Sequence, residues 1–227
     1  MAIKYLDMFS GIGGFRSALD RVGGFECIGF CEIDEKAKET YEAIYDTKGE
    51  LYFNDAREIN PNALPDIDLI CGGFPCQSFS IAGKRGGFND VRGTLFFEIA
   101  RIAAAKKPKY LLLENVPGLL SHDKGRTFAT ILGTLDELGY DVAWQVLNSA
   151  NFGVPQSRKR VFIVGFLRGK CAGRVLSFAD ARSFCQQQKN LLLAKRLFLF
   201  CCGKAERSFM NSFMSWVEER KLSGTRY

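Results

Sequence analysis

Lys4-Tyr5-Leu6-Asp7-Met8-Phe9-Ser10-Gly11-Ile12-Gly13-Gly14-Phe15 reads as a short apolar strand that runs straight into a glycine-rich turn. Phe15, Ala18, Leu19 and Val22 then recur at helical spacing until Gly23-Gly24 ends the run. A strand, a glycine turn and a helix in that order form the first half of a parallel βαβ unit, and the same alternation continues outward from it. Glu26–Glu32 is a second strand, and Asp34–Tyr45 a second helix opened by an aspartate cap. Leu51–Phe53 and Asp68–Gly72 are strands, followed by a glycine-rich stretch, 72–93, too broken for regular structure. Leu95–Lys107 is a helix, Lys109–Glu114 a strand, Gly125–Leu138 a helix, and Tyr140–Leu147 and Arg160–Phe166 are strands. This pattern predicts an α/β fold with a doubly wound, mostly parallel sheet.

Bulk composition narrows the field. The 227 residues suffice for one full-size domain and a small appendage, with 47% hydrophobic and 25% charged residues. No apolar run reaches the length of a membrane span, and Met1–Leu6 lacks the basic-then-apolar layout of a signal peptide, so the expected compartment is the cytoplasm. The eight cysteines form no paired C-x-x-C units and read as buried thiols or reactive centres. A net charge of +6 is compatible with a phosphate-bearing partner without requiring one. His122 is the sole histidine, which argues against a histidine-based metal site or a Cys-His hydrolase; no metal is expected.

In a doubly wound sheet, ligands gather at the carboxyl ends of the strands. Ser10–Gly14, Glu32, Asp55, Cys76 and Glu114 all fall there. The glycine turn allows close approach of backbone to a ligand at a helix N-terminus, although a plain strand-to-helix turn has the same composition. It lacks the Gly-Lys-Ser/Thr of a phosphate-binding loop, and Arg16 stands where a dinucleotide fingerprint has a third small residue. Glu32 is placed to hold ribose hydroxyls and Asp55 to accept from an adenine amino group; each is also an ordinary surface acid by itself. Together they describe a nucleoside pocket, and without a pyrophosphate device S-adenosylmethionine fits it better than a dinucleotide.

Cys71-Gly72-Gly73-Phe74-Pro75-Cys76-Gln77-Ser78-Phe79-Ser80 is the most informative stretch. Pro75 fixes the backbone before Cys76, a cysteine in a loop after the fourth strand and therefore open to ligand, whereas Cys71 within the strand is expected in the core. Glu114-Asn115-Val116-Pro117 ends the fifth strand, next to the fourth in the simplest winding, so a thiol and a carboxyl group converge on one cleft. Gln156-Ser157-Arg158-Lys159-Arg160 leads into the last strand and is, taken alone, a solvated strand edge.

Asp7–Phe15, Gly73–Ser80, Glu114–Val116 and Gln156–Arg160 resemble, in order and spacing, the signature motifs of the cytosine-5 DNA methyltransferase family over about residues 3–167, and Phe79–Arg101 resembles the bacterial restriction-modification members. The resemblance implies the Rossmann-like fold of S-adenosylmethionine-dependent methyltransferases, duplex DNA as partner and S-adenosylmethionine as cofactor. It makes Cys76 the nucleophile toward carbon 6 of cytosine. Glu114 becomes the group at ring nitrogen N3, and Arg158 and Arg160 the cations that hold the base carbonyl and favour a thiolate. Phe9, Gly11, Gly13, Gly14, Phe15, Glu32, Ile33, Asp55, Ala56 and Pro75 are assigned to the cofactor, with Phe15 stacking on adenine, Glu32 on the ribose and Asp55 on the adenine edge. Gln77, Ser80, Lys84 and Arg85 fall to the DNA side, the last two in a loop resembling the one that closes over a flipped nucleotide.

The resemblance stops after Arg168. Residues 1–168 are read as the catalytic and cofactor-binding domain, and 169–227 as a tail with no recognisable target-recognition region. A truncated or frameshifted terminus is the expected origin of that tail; the alternatives are a split enzyme completed by a second chain, or a compact replacement. The first implies weak or absent activity for the chain alone. Methylation of transfer RNA with the same residues, and a catalytically dead DNA-binding remnant or partner subunit, are the alternative functions.

Overall fold

The computed structural model describes residues 2–75, 95–152 and 155–170. Seven strands form one sheet: β1 (Ile3–Met8), β2 (Phe25–Cys31), β3 (Leu51–Phe53), β4 (Leu69–Gly73), β5 (Tyr110–Asn115), β6 (Tyr140–Asn148) and β7 (Lys159–Leu167). Their spatial order is β3-β2-β1-β4-β5-β7-β6. Four helices cover it, α1 (Gly14–Val22), α2 (Glu35–Ile44), α3 (Leu95–Lys106) and α4 (Arg126–Glu137). Each element expected from the sequence is present within one or two residues of its expected ends. Asp34 caps the second helix as expected, its carboxylate accepting the Ala37 N–H at 2.8 Å, and Tyr45, expected inside that helix, is its C-terminal cap.

β1 to β5 pair in parallel, whereas β7 runs antiparallel to both β5 and β6. The sheet is therefore mixed. The physical reason lies in the link between β6 and β7, residues 149–158, which is only ten residues long. Parallel neighbours need a crossover of a dozen or more residues, so this link returns the chain antiparallel. β7 inserts between β5 and β6, and its amino end thereby meets the carboxyl end of β5, where Asn115 pairs with Val161.

Alternation along the strands feeds two cores. Tyr5, Leu69, Cys71 and Leu112 face α1, where Phe15, Ala18 and Leu19 cover them. Leu6, Met8, Ile70, Leu111 and Leu113 face the opposite side, packed with Ile99 and Ala103 of α3 and Ile131 and Leu135 of α4. Central parallel strands are buried on both faces, which is why they read as continuous apolar runs rather than as alternating ones. Cys71 is fully buried, as expected.

β1 and β4 lie side by side at the point where the winding reverses, the position at which doubly wound sheets open a crevice. Their backbones approach closely there: a Cβ on Gly72 would sit 2.4 Å from the Met8 carbonyl oxygen. A buried polar network braces the end of β1 from the α1 side. Asp7, fully buried, accepts from the Tyr41 hydroxyl at 3.3 Å and from the Cys71 thiol at 3.6 Å. Tyr41 in turn lies 3.4 Å from the guanidinium of Arg16, which bonds Glu50 at 2.6 Å and the Asp46 carbonyl at 3.1 Å. Arg16, the residue that spoils a dinucleotide fingerprint, ties α1 to α2 and to the loop before β3.

Burial pushes the Asp7 carboxyl up to about 7, with the Cys71 and Tyr41 hydrogen bonds and the Arg16 charge acting in the opposite direction. The folded protein therefore keeps a proton that an unfolded aspartate releases near pH ~4. Stability contributed by this group is complete below that pH and is lost as pH rises through about 7. Asp7→Asn is expected to flatten that part of the stability profile, measured as the denaturant midpoint between pH ~4 and ~7. An unchanged slope in the variant would show that Asp7 titrates normally in the fold.

Candidate active site

On the cofactor side, the chain leaves β1 through three left-handed residues: Phe9 (φ 54°), Gly11 (φ 55°) and Gly13 (φ 88°). The Ser10 amide still donates to the Cys31 carbonyl at 3.0 Å, so the turn starts as a continuation of the β1–β2 ladder. Glu32, just past β2, accepts the Gly11 N–H on one carboxylate oxygen at 2.7 Å and the Asp34 N–H on the other at 2.9 Å. It thus joins the glycine turn to the N-terminus of α2. Gly13 cannot carry a side chain, because a Cβ there would lie 2.3 Å from the Tyr45 ring, whose hydroxyl donates to the Gly13 carbonyl at 2.9 Å. Gly14 opens α1. Ile12 and Ile33 flank this turn and are 60% and 63% exposed, unusual for residues of their type. The Ser10 hydroxyl is buried and has no hydrogen-bond partner among the described residues.

Phe15 does not stand at this surface. It is buried on the α1 side of the sheet with Tyr5, Leu19, Leu69 and Leu112, whereas the family resemblance assigned it to stacking on adenine. Its position in α1 explains the difference: the helix turns Phe15 down onto the strands in register with Ala18 and Leu19. Phe9 is the aromatic at the strand end, only partly buried and held left-handed at the mouth of the turn.

Asp55 begins a turn of 3-10 helix, Ala56–Glu58, and accepts the Arg57 N–H at 2.9 Å. Both of its carboxylate oxygens also bond the Arg57 guanidinium, at 2.6 to 3.0 Å, which holds the Asp55 carboxyl below the usual range. Ala56 is buried beneath it.

On the opposite side of the crevice, Glu114 ends β5 and forms a 2.6 Å ion pair with Arg160 Nε of β7. Both side chains are largely enclosed, 24% and 20% exposed respectively. Burial pushes the Glu114 carboxyl above its ordinary value, and the charges of Arg160 and Arg158 pull against that without cancelling it. Gly73 makes room, since a Cβ there would come within 3.0 Å of the Glu114 carboxylate. Arg158 is exposed, and its backbone is pinned by the buried Ser149: the Arg158 N–H donates to Ser149 Oγ, and the Ser149 N–H to the Arg158 carbonyl, each at 3.0 Å.

Asn115 has a role that composition and spacing did not reveal. Buried at the end of β5, it donates to the Phe74 carbonyl at 2.8 Å and accepts the Val116 N–H at 2.8 Å. One carboxamide therefore clamps the exits of β4 and β5 together, next to Glu114 on one strand and Pro75 on the other. Pro75 is the exposed last residue before a gap in the described chain. Cys76, Gln77, Ser80, Lys84 and Arg85 lie outside the described residues.

With that geometry in place, the comparisons with known proteins identify the class. Residues 3–198 match the C-5 cytosine-specific DNA methylase family, and the chain belongs to it. The match runs on beyond Arg168, where the short motifs end. Among relatives, the type II methyltransferase M.HpaII of Haemophilus parainfluenzae is 48% identical over 191 residues, covering 78% of this chain and 52% of the relative. M.NgoBI of Neisseria gonorrhoeae is 51% identical over 163 residues, covering 72% and 50%. The chain spans about half the length of these relatives. The fold is also that of Dnmt2 methyltransferases from Schizosaccharomyces pombe (TM-score 0.58, 23% identity, covering 81% of this chain and 54% of that one) and Spodoptera frugiperda (0.60, 24%, 74% and 51%).

Asn115→Leu keeps the bulk of the side chain and removes both hydrogen bonds, leaving the Phe74 carbonyl and the Val116 amide unpaired. A loss of about 2–3 kcal/mol in unfolding free energy is expected from urea titration. A midpoint equal to that of the parent would mean that the clamp does not hold the two strand ends.

Proposed function

We propose that this chain carries the cofactor-binding and catalytic half of an enzyme that methylates carbon 5 of cytosine in duplex DNA, with S-adenosylmethionine as methyl donor. The observation that carries this reading is the enclosed Glu114–Arg160 pair beside the end of β4 at Gly73, three residues before Cys76. The cofactor side fits the donor: bare left-handed backbone at Gly11 and Gly13, a carboxylate at Glu32 joined to that backbone, and a buried Ser10 hydroxyl open to a further partner. Glu32 would hold the ribose, Asp55 the adenine amino group, and Phe9 would lie against the adenine ring. The bound donor supplies an electrophilic methyl carbon on a sulfonium.

The residues divide the chemistry as follows. Cys76, as thiolate, forms a bond to carbon 6, and the displaced electron pair makes carbon 5 nucleophilic. Glu114 in its protonated form donates to ring nitrogen N3 and offsets the charge that develops on the ring; its burial favours that form. Arg160 holds the Glu114 carboxyl in place through one oxygen, and Arg158 adds positive charge on the same side, favouring a thiolate at Cys76. After methyl transfer, the carbon 5 proton leaves to a base and the bond from Cys76 to carbon 6 breaks, returning the thiolate. Because the base lies in the duplex stack, it must first be flipped out, and Gln77, Ser80, Lys84 and Arg85 are proposed to meet the DNA.

A fluorine at carbon 5 cannot leave as the proton does, so duplex DNA carrying 5-fluorocytosine should trap the covalent state. The full chain with S-adenosylmethionine is expected to form, slowly and in low yield, a denaturation-resistant DNA adduct that Cys76→Ser abolishes. Glu114→Gln should slow its formation by about 10²-fold or more. A folded, cofactor-binding chain that forms no adduct would favour the DNA-binding remnant. An adduct formed with transfer RNA in place of duplex DNA would favour the RNA-directed relative.

A further inference from the structure

Asp55 sits on a short turn with sparse internal bonding: Glu58 N–H to the Asp55 carbonyl at 3.0 Å, and a long bond from Ile59 N–H to the Ala56 carbonyl at 3.4 Å. A three-residue 3-10 turn does not hold itself rigidly. Its stiffness comes from α3, some forty residues on in the chain. Arg101 donates from one terminal nitrogen to the Ile59 carbonyl at 2.8 Å and from the other to the Ala56 carbonyl at 3.1 Å. Its Nε bonds Glu98 of the preceding helical turn at 2.8 Å, which fixes the fork in the plane those carbonyls need. Ala56 and Ile59 are themselves almost fully buried, so the turn is anchored by apolar packing below and by the guanidinium at its carbonyls. Arg57 then holds the Asp55 carboxylate from the solvent side.

We propose that Arg101 is a positioning residue for the adenine edge of the cofactor site. By holding the Ala56 and Ile59 carbonyls, it sets where the Asp55 carboxylate presents itself to the exocyclic amino group of the nucleoside. The inference rests on the reading of Asp55 given above. Arg101 touches neither cofactor nor base, and its effect is on recognition of the adenine rather than on the chemical step. A lysine at this position keeps the charge but cannot bridge two carbonyls in one plane, so it should substitute only in part.

The test is equilibrium binding to the full chain by titration calorimetry, with S-adenosylhomocysteine and with its purine analogue lacking the exocyclic amino group. The parent protein is expected to prefer the adenine ligand. R101M should bind S-adenosylhomocysteine about tenfold more weakly, the worth of one charge-assisted hydrogen bond, and lose most of that preference; R101K should recover part of it. A general loss of packing would lower the melting temperature and weaken both ligands alike, so an R101M protein that keeps the full preference overturns the inference. If R101M does not fold, the same comparison is read on R101K. A parent protein without preference overturns the Asp55 reading, and the inference with it.

Discussion

A carboxylate and a guanidinium 2.6 Å apart, both largely enclosed, hold one wall of the candidate site together. Their meeting depends on the antiparallel insertion of β7 between β5 and β6. Were β7 parallel, its amino end and Arg160 would lie at the opposite edge from Glu114. The carboxyl group also needs the bare Cα of Gly73 across the β4–β5 pairing, because a side chain there would press on it. Enclosing an acid raises its proton affinity, while an adjacent cation lowers it. Here the first effect exceeds the second, and the carboxyl group holds its proton more tightly than an ordinary glutamate.

The two halves of the crevice are built by different means. On the cofactor side, backbone does most of the shaping: left-handed turns, a glycine that no side chain could replace, and carboxylates that bond amides of neighbouring segments. On the base side, side chains do it, through the Asn115 clamp, the Ser149 brace and the Glu114–Arg160 pair. Both halves are fixed to the seam between β1 and β4, where Gly72 permits close backbone approach and the buried Asp7 network stiffens the end of β1.

Much of this was legible in the sequence because it depends on local pattern. Apolar runs, glycine pairs and the Asp34 cap located the strands and α-helices of the described residues to within one or two residues, and the strand ends located Glu32, Asp55 and Glu114. What escaped was long-range. The antiparallel sense of β7 follows from the shortness of the link between β6 and β7, too few residues for a parallel crossover. Phe9 and Phe15 flank the same turn, and only the rotation of α1 shows which faces the core. Arg16 looked like a defect in a fingerprint and proved to be a brace to Glu50, a partner 34 residues distant. Asn115 and Arg101 act on carbonyls 41 to 45 residues away, contacts that no spacing rule announces.

The central claim is that Glu114 holds its proton more tightly than an ordinary glutamate despite its arginine partner. Carbon-13 NMR titration of the side-chain carboxyl carbons in glutamate-labelled protein, with the Glu114 signal assigned by its absence in Glu114→Gln, measures this directly. The midpoint for Glu114 is expected above that of the exposed glutamates in the same sample, shifting further upward in Arg160→Met. A midpoint at or below theirs would contradict it, because the ion pair would then outweigh burial and the carboxyl group would stand as a plain anion beside the base.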